Sequence, residues 1–118
     1  MIGRLHFEPN AETPVARLSG EVDASNAPGY TSELKAAMPN TALGLVLDLS
    51  DTTYIDSSGL HLIFDLADAL RRRQQTLQLV VKPETFVSDV LGAVSIEGAA
   101  RMSPTLPEAL EAVREPAF

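Results

Sequence analysis

The chain has 118 residues, a formal charge of -7 and no cysteine. Its length fits one domain, and 45% hydrophobic against 21% charged residues is globular composition, not disorder. The acid excess argues against nucleic acid or an anionic membrane as partner, and the missing thiols exclude a disulfide scaffold, a cysteine nucleophile and a thiolate metal site. No apolar run approaches a membrane span, and Met1 to Pro9 lacks the apolar core of a signal peptide, so a soluble cytoplasmic protein is expected. Residues 2–7 suit a short strand, and Glu8 to Pro14 a turn. Residues 15–22 alternate, with Ala16, Leu18 and Val22 on one side and Arg17, Ser19 and Glu21 on the other, as in a half-buried strand. Asp23 to Asn26 is rich in cap residues, and Pro28 suits a first helical turn. Tyr30, Leu34, Ala37 and Met38 then mark one helix face, stopped at Pro39-Asn40. Leu43 to Leu49 is nearly all apolar and predicts a central strand covered on both faces. Ser50 to Ser58 reads as a polar loop, and Gly59 to Arg73 as an amphipathic helix carrying Leu60, Ile63, Phe64, Ala67 and Leu70. Leu77 to Val81 is another strand. Pro83 opens a short helix ended by Gly92. Residues 93–103 carry the weakest pattern, with a last strand at Ala99 to Met102. Thr105 to Glu108 is a capping box before a final helix with Leu106, Ala109, Leu110 and Val113 inward. Strands alternating with helices predict an α/β fold with a mostly parallel sheet.

The chemistry concentrates where the central strand feeds the polar loop, Leu47 to Leu60. The first amides of the helix that follows lack internal partners, and the helix dipole favours an anion there. A phosphoryl group on Ser57 or Ser58 would leave the fold intact and add about two negative charges beside Asp51 and Asp56. The plainer reading of these residues is an N-cap, which needs no function. Other chemistries fit less well. Val81-Lys82-Pro83 with Asp48 suggests a response-regulator receiver, but the strand from Val15 to Val22 has Glu21 and Asp23 at its end, and the five regular strand–helix units of that domain are missing. A serine hydrolase lacks a Gly-x-Ser-x-Gly elbow, and His6 and His61, the two histidines, offer no oriented base. No enzymatic activity is therefore expected. Asp48, Asp51 and Asp56 read as solvated loop carboxylates, so neither metal nor cofactor is expected. Arg71-Arg72-Arg73 reads as a solvated helix end, and Lys82 as a solvated strand end or an edge guard.

Ile55-Asp-Ser-Ser-Gly-Leu60 after Leu47-Asp-Leu-Ser resembles the signature of the STAS domain, specifically of bacterial anti-sigma factor antagonists. Leu18-Ser-Gly-Glu-Val-Asp23 with Ala-Ser-Asn-Ala27 resembles the family's other recurrent segment, and the likeness runs over about residues 3–114. It implies a STAS-like single domain over residues 1–118, with a mixed, mostly parallel sheet of four to five strands and about four helices. It implies docking on an anti-sigma factor that is also a serine kinase of the histidine-kinase-like ATPase type, with release of a sigma factor. The kinase would modify Ser57, with Ser58 the lesser choice, and a serine phosphatase would reset it. The implied docking residues are Asp23, Asn26, Asp56, Ser57, Ser58, Gly59, Leu60 and His61. His61 departs from the family, where small residues are frequent; an imidazole can titrate near neutrality, though a lone surface histidine is ordinarily just solvated. The alternative is an unmodified STAS-like docking subunit of a transporter or of a multi-protein stress complex.

Overall fold

The computed structural model describes residues 2–8 and 12–115. Strand β1 (Arg4–Glu8) runs antiparallel to β2 (Val15–Val22), with Leu5 opposite Leu18 and Phe7 opposite Ala16. The alternation in β2 sorts as its pattern predicts: Ala16, Leu18 and Val22 are buried, Arg17 and Glu21 exposed. Part of the turn expected from Glu8 to Pro14, residues 9–11, lies outside the described residues. Helix α1 (Ala27–Ala37) has Pro28 in its first turn and buries Ala27, Thr31 and Leu34. Strand β3 (Gly44–Asp48) is buried at every residue and lies parallel between β2 and β5 (Thr76–Val80).

The expected 50–58 loop contains a strand instead. β4 (Thr52–Ile55) runs parallel to the far end of β2, pairing with Gly20, Glu21 and Val22, whereas β3 pairs with Val15, Ala16 and Arg17. The chain thus leaves one edge of β2 and rejoins it a few residues on. Gly20 accommodates the step. Its φ is +76°, a region costly for a side chain, and its N–H reaches the Asp51 carbonyl at 3.0 Å. Thr52 Oγ1 donates to the Leu18 carbonyl at 2.6 Å, which fixes the start of β4.

Helix α2 spans Ser57–Arg72, beginning two residues before the expected Gly59. Helix α3 spans Phe86–Ala93. It is capped by Thr85, whose side chain accepts from the Ser88 N–H at 3.2 Å, so Pro83 precedes the helix and Gly92 lies within it. One 3₁₀ turn, Ile96–Gly98, leads to β6 (Arg101–Ser103), later than the predicted strand. Helix α4 (Leu106–Arg114) starts at the Thr105 cap as predicted. Among the described residues the sheet therefore has six strands, one more than the upper expectation, in the order β1-β2-β3-β5-β6 with β4 beside β2. The four helices are as expected.

The main core lies between the sheet and α1, α2 and α3; Leu18, Leu34, Leu47, Leu66, Leu79 and Leu91 are all but inaccessible. Burying each such side chain contributes about 1.5–3 kcal/mol. The opposite face is smaller, with Ala109 and Val113 of α4 on Val46 and Val80. Arg71 and Arg72 pair in solvent with Asp68, as a helix end would, but Arg73 does not. Its guanidinium donates to the Met38 carbonyl at 2.9 Å and to the Asn40 side chain, tying the end of α2 to the end of α1. Lys82 is exposed after β5, an interior strand, so it guards no edge. Among the described residues no helix is long and apolar enough to cross a membrane.

Candidate functional site

Val22 and Ile55 stand side by side at the ends of two parallel strands, and the Asp56 N–H donates to the Val22 carbonyl at 3.3 Å. The residues that follow, Asp23 and Asp56, consequently emerge together. One begins the turn into α1 and the other begins α2, so two segments remote in sequence share one end of the sheet.

The turn from β2 to α1 is held from within. Asn26 spends both ends of its amide on nearby backbone: Oδ1 accepts from the Asp23 N–H at 3.0 Å and Nδ2 donates to the Glu21 carbonyl at 2.9 Å. Asp23 Oδ1 accepts from the Ser25 hydroxyl and, at 2.9 Å, from the Ser25 N–H. These bonds, the hydroxyl first, hold the Asp23 carboxyl below its usual range. Nearby, burial raises the Tyr30 phenol, and the charges of Asp23 and Glu33 add to that.

Asp56 is the N-cap of α2. Its backbone is extended, and Oδ1 accepts from the Ser58 N–H at 2.8 Å and the Gly59 N–H at 3.4 Å. The Leu60 N–H goes to the Asp56 carbonyl. The amides expected to be free for an anion are therefore largely occupied, and Ser57 is relieved of capping. Its side chain is exposed and its hydroxyl has no hydrogen-bond partner among the described residues. Ser58 is half-buried. Gly59, expected on the docking surface, is buried instead. A Cβ there would lie 2.3 Å from Ile55 Cγ1 and 3.2 Å from Val22 Cγ1, so its lack of a side chain lets the first turn of α2 settle on the strand ends. Leu60 packs half-buried against the core, and His61 is exposed.

A groove between α1 and α2 runs from Ser57 past His61 to Asp65, with Thr31 and Lys35 on its other wall. Lys35 Nζ and Asp65 Oδ1 close it at 2.9 Å. Beside the site, Tyr54 of β4 and Phe86 of α3 stack with centroids 5.6 Å apart, both substantially exposed. No periodicity in the sequence pairs these two, or Lys35 with Asp65. Of the three loop carboxylates considered for a metal, Asp48 is buried against Arg17 at 3.3 Å and Asp56 is spent on the cap. Among the described residues no three His, Asp or Glu side chains gather closely enough to hold an ion.

The sequence profile of the STAS domain family matches residues 6–109. The chain belongs to the STAS domain family. Its relatives include BtrV of Bordetella bronchiseptica, a candidate anti-sigma factor antagonist, 36% identical over 70% of this chain and 72% of that one. An anti-sigma-B factor antagonist of Listeria monocytogenes is 29% identical over 69% and 78%. The fold of this STAS domain is shared by an anti-sigma factor antagonist from Mycobacterium paratuberculosis, with a TM-score of 0.80, 24% identity and coverage of 97% and 96%. It is shared too by the anti-sigma factor antagonist SpoIIAA in its unphosphorylated form, at TM-score 0.71, 21% identity and coverage of 96% and 100%. The phosphorylated form of SpoIIAA also matches, at TM-score 0.63, 19% identity and coverage of 94% and 100%. Each of these is named as an antagonist of an anti-sigma factor.

Proposed function

We propose that this STAS domain, a single domain over residues 1–118, is an anti-sigma factor antagonist gated by phosphorylation of Ser57. Its relatives are named for antagonism of anti-sigma factors, and its fold neighbour SpoIIAA exists in unphosphorylated and phosphorylated forms. The observation that carries the gate is the division of labour at the start of α2. Asp56 caps the helix, which leaves the Ser57 hydroxyl exposed and without a hydrogen-bond partner among the described residues.

The partner is an anti-sigma factor with serine kinase activity of the histidine-kinase-like ATPase type. This domain supplies the nucleophile and the partner supplies ATP and catalysis. Ser57 Oγ bonds to the γ-phosphorus, the bond to the β-phosphate oxygen breaks, ADP leaves, and the hydroxyl proton passes to a base on the kinase. A serine phosphatase returns the hydroxyl by hydrolysis, releasing inorganic phosphate. The unmodified surface docks through the exposed start of α2 and the turn at Asp23, with Asn26 holding that turn from behind. The added phosphate brings about two negative charges next to Asp56 and turns the same surface repulsive to an acidic or apolar partner face. No catalytic role falls to this chain.

The test is to isolate the protein from growing and stressed cells and to map phosphate on the peptide from Tyr54 to Phe64. Condition-dependent phosphate on Ser57 is the expected result. Its absence under every condition would replace the gate with constitutive docking.

A further inference from the structure

We propose that His61 is the built-in counter-ion of phosphorylated Ser57, so that this side chain sets part of the charge the modified site shows to a partner. This deepens the reading of Ser57 as the modified residue and rests on it. A phosphate on Ser57 finds little compensation at the helix terminus itself, because the Ser58 and Gly59 amides already serve Asp56 and that carboxylate is a like charge. The remaining charged groups along the groove are Lys35 from α1 and Asp65 from α2, and they already neutralise each other at 2.9 Å.

His61 lies between the two ends. It follows Ser57 by four residues and precedes Asp65 by four, so all three share one helix face at steps of roughly 6 Å. The imidazole is exposed and has no partner among the described residues. Lys35 holds Asp65, so a protonated His61 is free to turn toward Ser57. The pairing is local to one helix and needs no rearrangement of the fold. A protonated imidazole there offsets one of the phosphate charges, and the modified and unmodified surfaces become more alike. With the imidazole removed, the dianion stands uncompensated, and the gate closes harder.

The test uses the full chain with phosphoserine incorporated at position 57 and a ³¹P NMR titration of that phosphate. A neighbouring cation favours the dianion. The second ionisation should therefore fall at a pH lower than in the His61→Gln variant by roughly 0.4 unit, about a 2.5-fold change in the dianion-to-monoanion ratio. His61→Lys, a permanent cation at the same position, should keep the lower value. Lys35→Gln, which leaves Asp65 to compete for the imidazole, should shrink the difference. Coincident titrations in the wild-type and His61→Gln chains would overturn the pairing. Phosphoserine is installed directly, so that result would leave Ser57 as the acceptor in place. A Ser57 that never carries phosphate in cells would remove the gate without touching the pair.

Discussion

Replacing Asp56 and Ser57 in turn separates the residue that holds the helix from the residue proposed as the phosphate acceptor. Asp56→Ala deletes an acceptor that receives one well-formed bond, 2.8 Å from the Ser58 N–H, and one long bond, 3.4 Å from the Gly59 N–H. Loss of such a cap costs about 1 kcal/mol. Removing the half-buried charge from the positive end of the dipole adds about 0.5 kcal/mol. Asp56→Ala should therefore lower stability by about 1.5 kcal/mol, and Asp56→Asn, which can still cap, by about 0.5 kcal/mol. In urea, with a slope of about 1.5 kcal/mol per molar, the Ala variant's midpoint should move down by about 1 M. Ser57→Ala should stay within about 0.5 kcal/mol of the parent, because the side chain is exposed and has no hydrogen-bond partner among the described residues. The decisive comparison is between the two alanine variants by equilibrium unfolding. A Ser57→Ala loss of 1 kcal/mol or more, with Asp56→Ala near neutral, would make serine the cap and refute the argument for a free hydroxyl.

Ser57→Asp should raise the Kd for the anti-sigma partner by about tenfold or more in calorimetry, since one like charge at the contact imitates part of the phosphate; Ser57→Ala should bind normally and resist switching. An unchanged Kd for Ser57→Asp would contradict electrostatic gating. Gly59→Ala gains about 1 kcal/mol in helix propensity but meets Ile55 at 2.3 Å, an overpacking cost of about 1–3 kcal/mol, so a net loss of about 1 kcal/mol is expected in a urea melt. The Asp23 carboxyl is held below its ordinary value of 3.8 by Ser25, so the turn's stabilisation is full above that pH and is lost as the pH falls through the folded-state value. Ser25→Ala should return the Asp23 titration toward 3.8 in an NMR experiment; an unmoved titration would discount the Ser25 hydroxyl as the main cause.

The elements legible in the sequence are those whose burial follows a simple period. β2 alternates along its length and β3 is buried throughout, and each pattern is visible in the residues themselves. β4 buries only its first and last residues, Thr52 and Ile55, and leaves Thr53 and Tyr54 exposed. It has no period of two and too few residues to establish one. Its β-branched and aromatic content was the available signal, and its strand identity comes from β2, some thirty residues earlier. Ser57 and Ser58 contribute nothing to an apolar stripe, so periodicity alone starts α2 at Gly59, two residues after its actual start. The STAS resemblance pointed to this segment but could not assign the cap, because Asp and Ser are equally good cap residues. The choice depends on the extended backbone of Asp56 and on which amides its carboxylate meets. Lys35–Asp65 and Tyr54–Phe86 each join residues about thirty apart, and only the folded sheet brings them together.

Three consecutive requirements at this helix start fall on separate side chains. The end of the helix must be capped, its first turn must approach the strand ends closely, and a hydroxyl must reach solvent. Asp56 meets the first with its carboxylate, Gly59 the second by having no Cβ, and Ser57 the third by its exposure. A serine that also capped α2 would lose its acceptor geometry whenever it was modified, and each phosphorylation would be charged against the stability of the domain. With the cap displaced by one residue, a group of about two charges can be added or removed while the Ser58 and Gly59 amides keep their acceptor. The cap itself should thus persist in both states, and the modification can act at the surface where a partner docks.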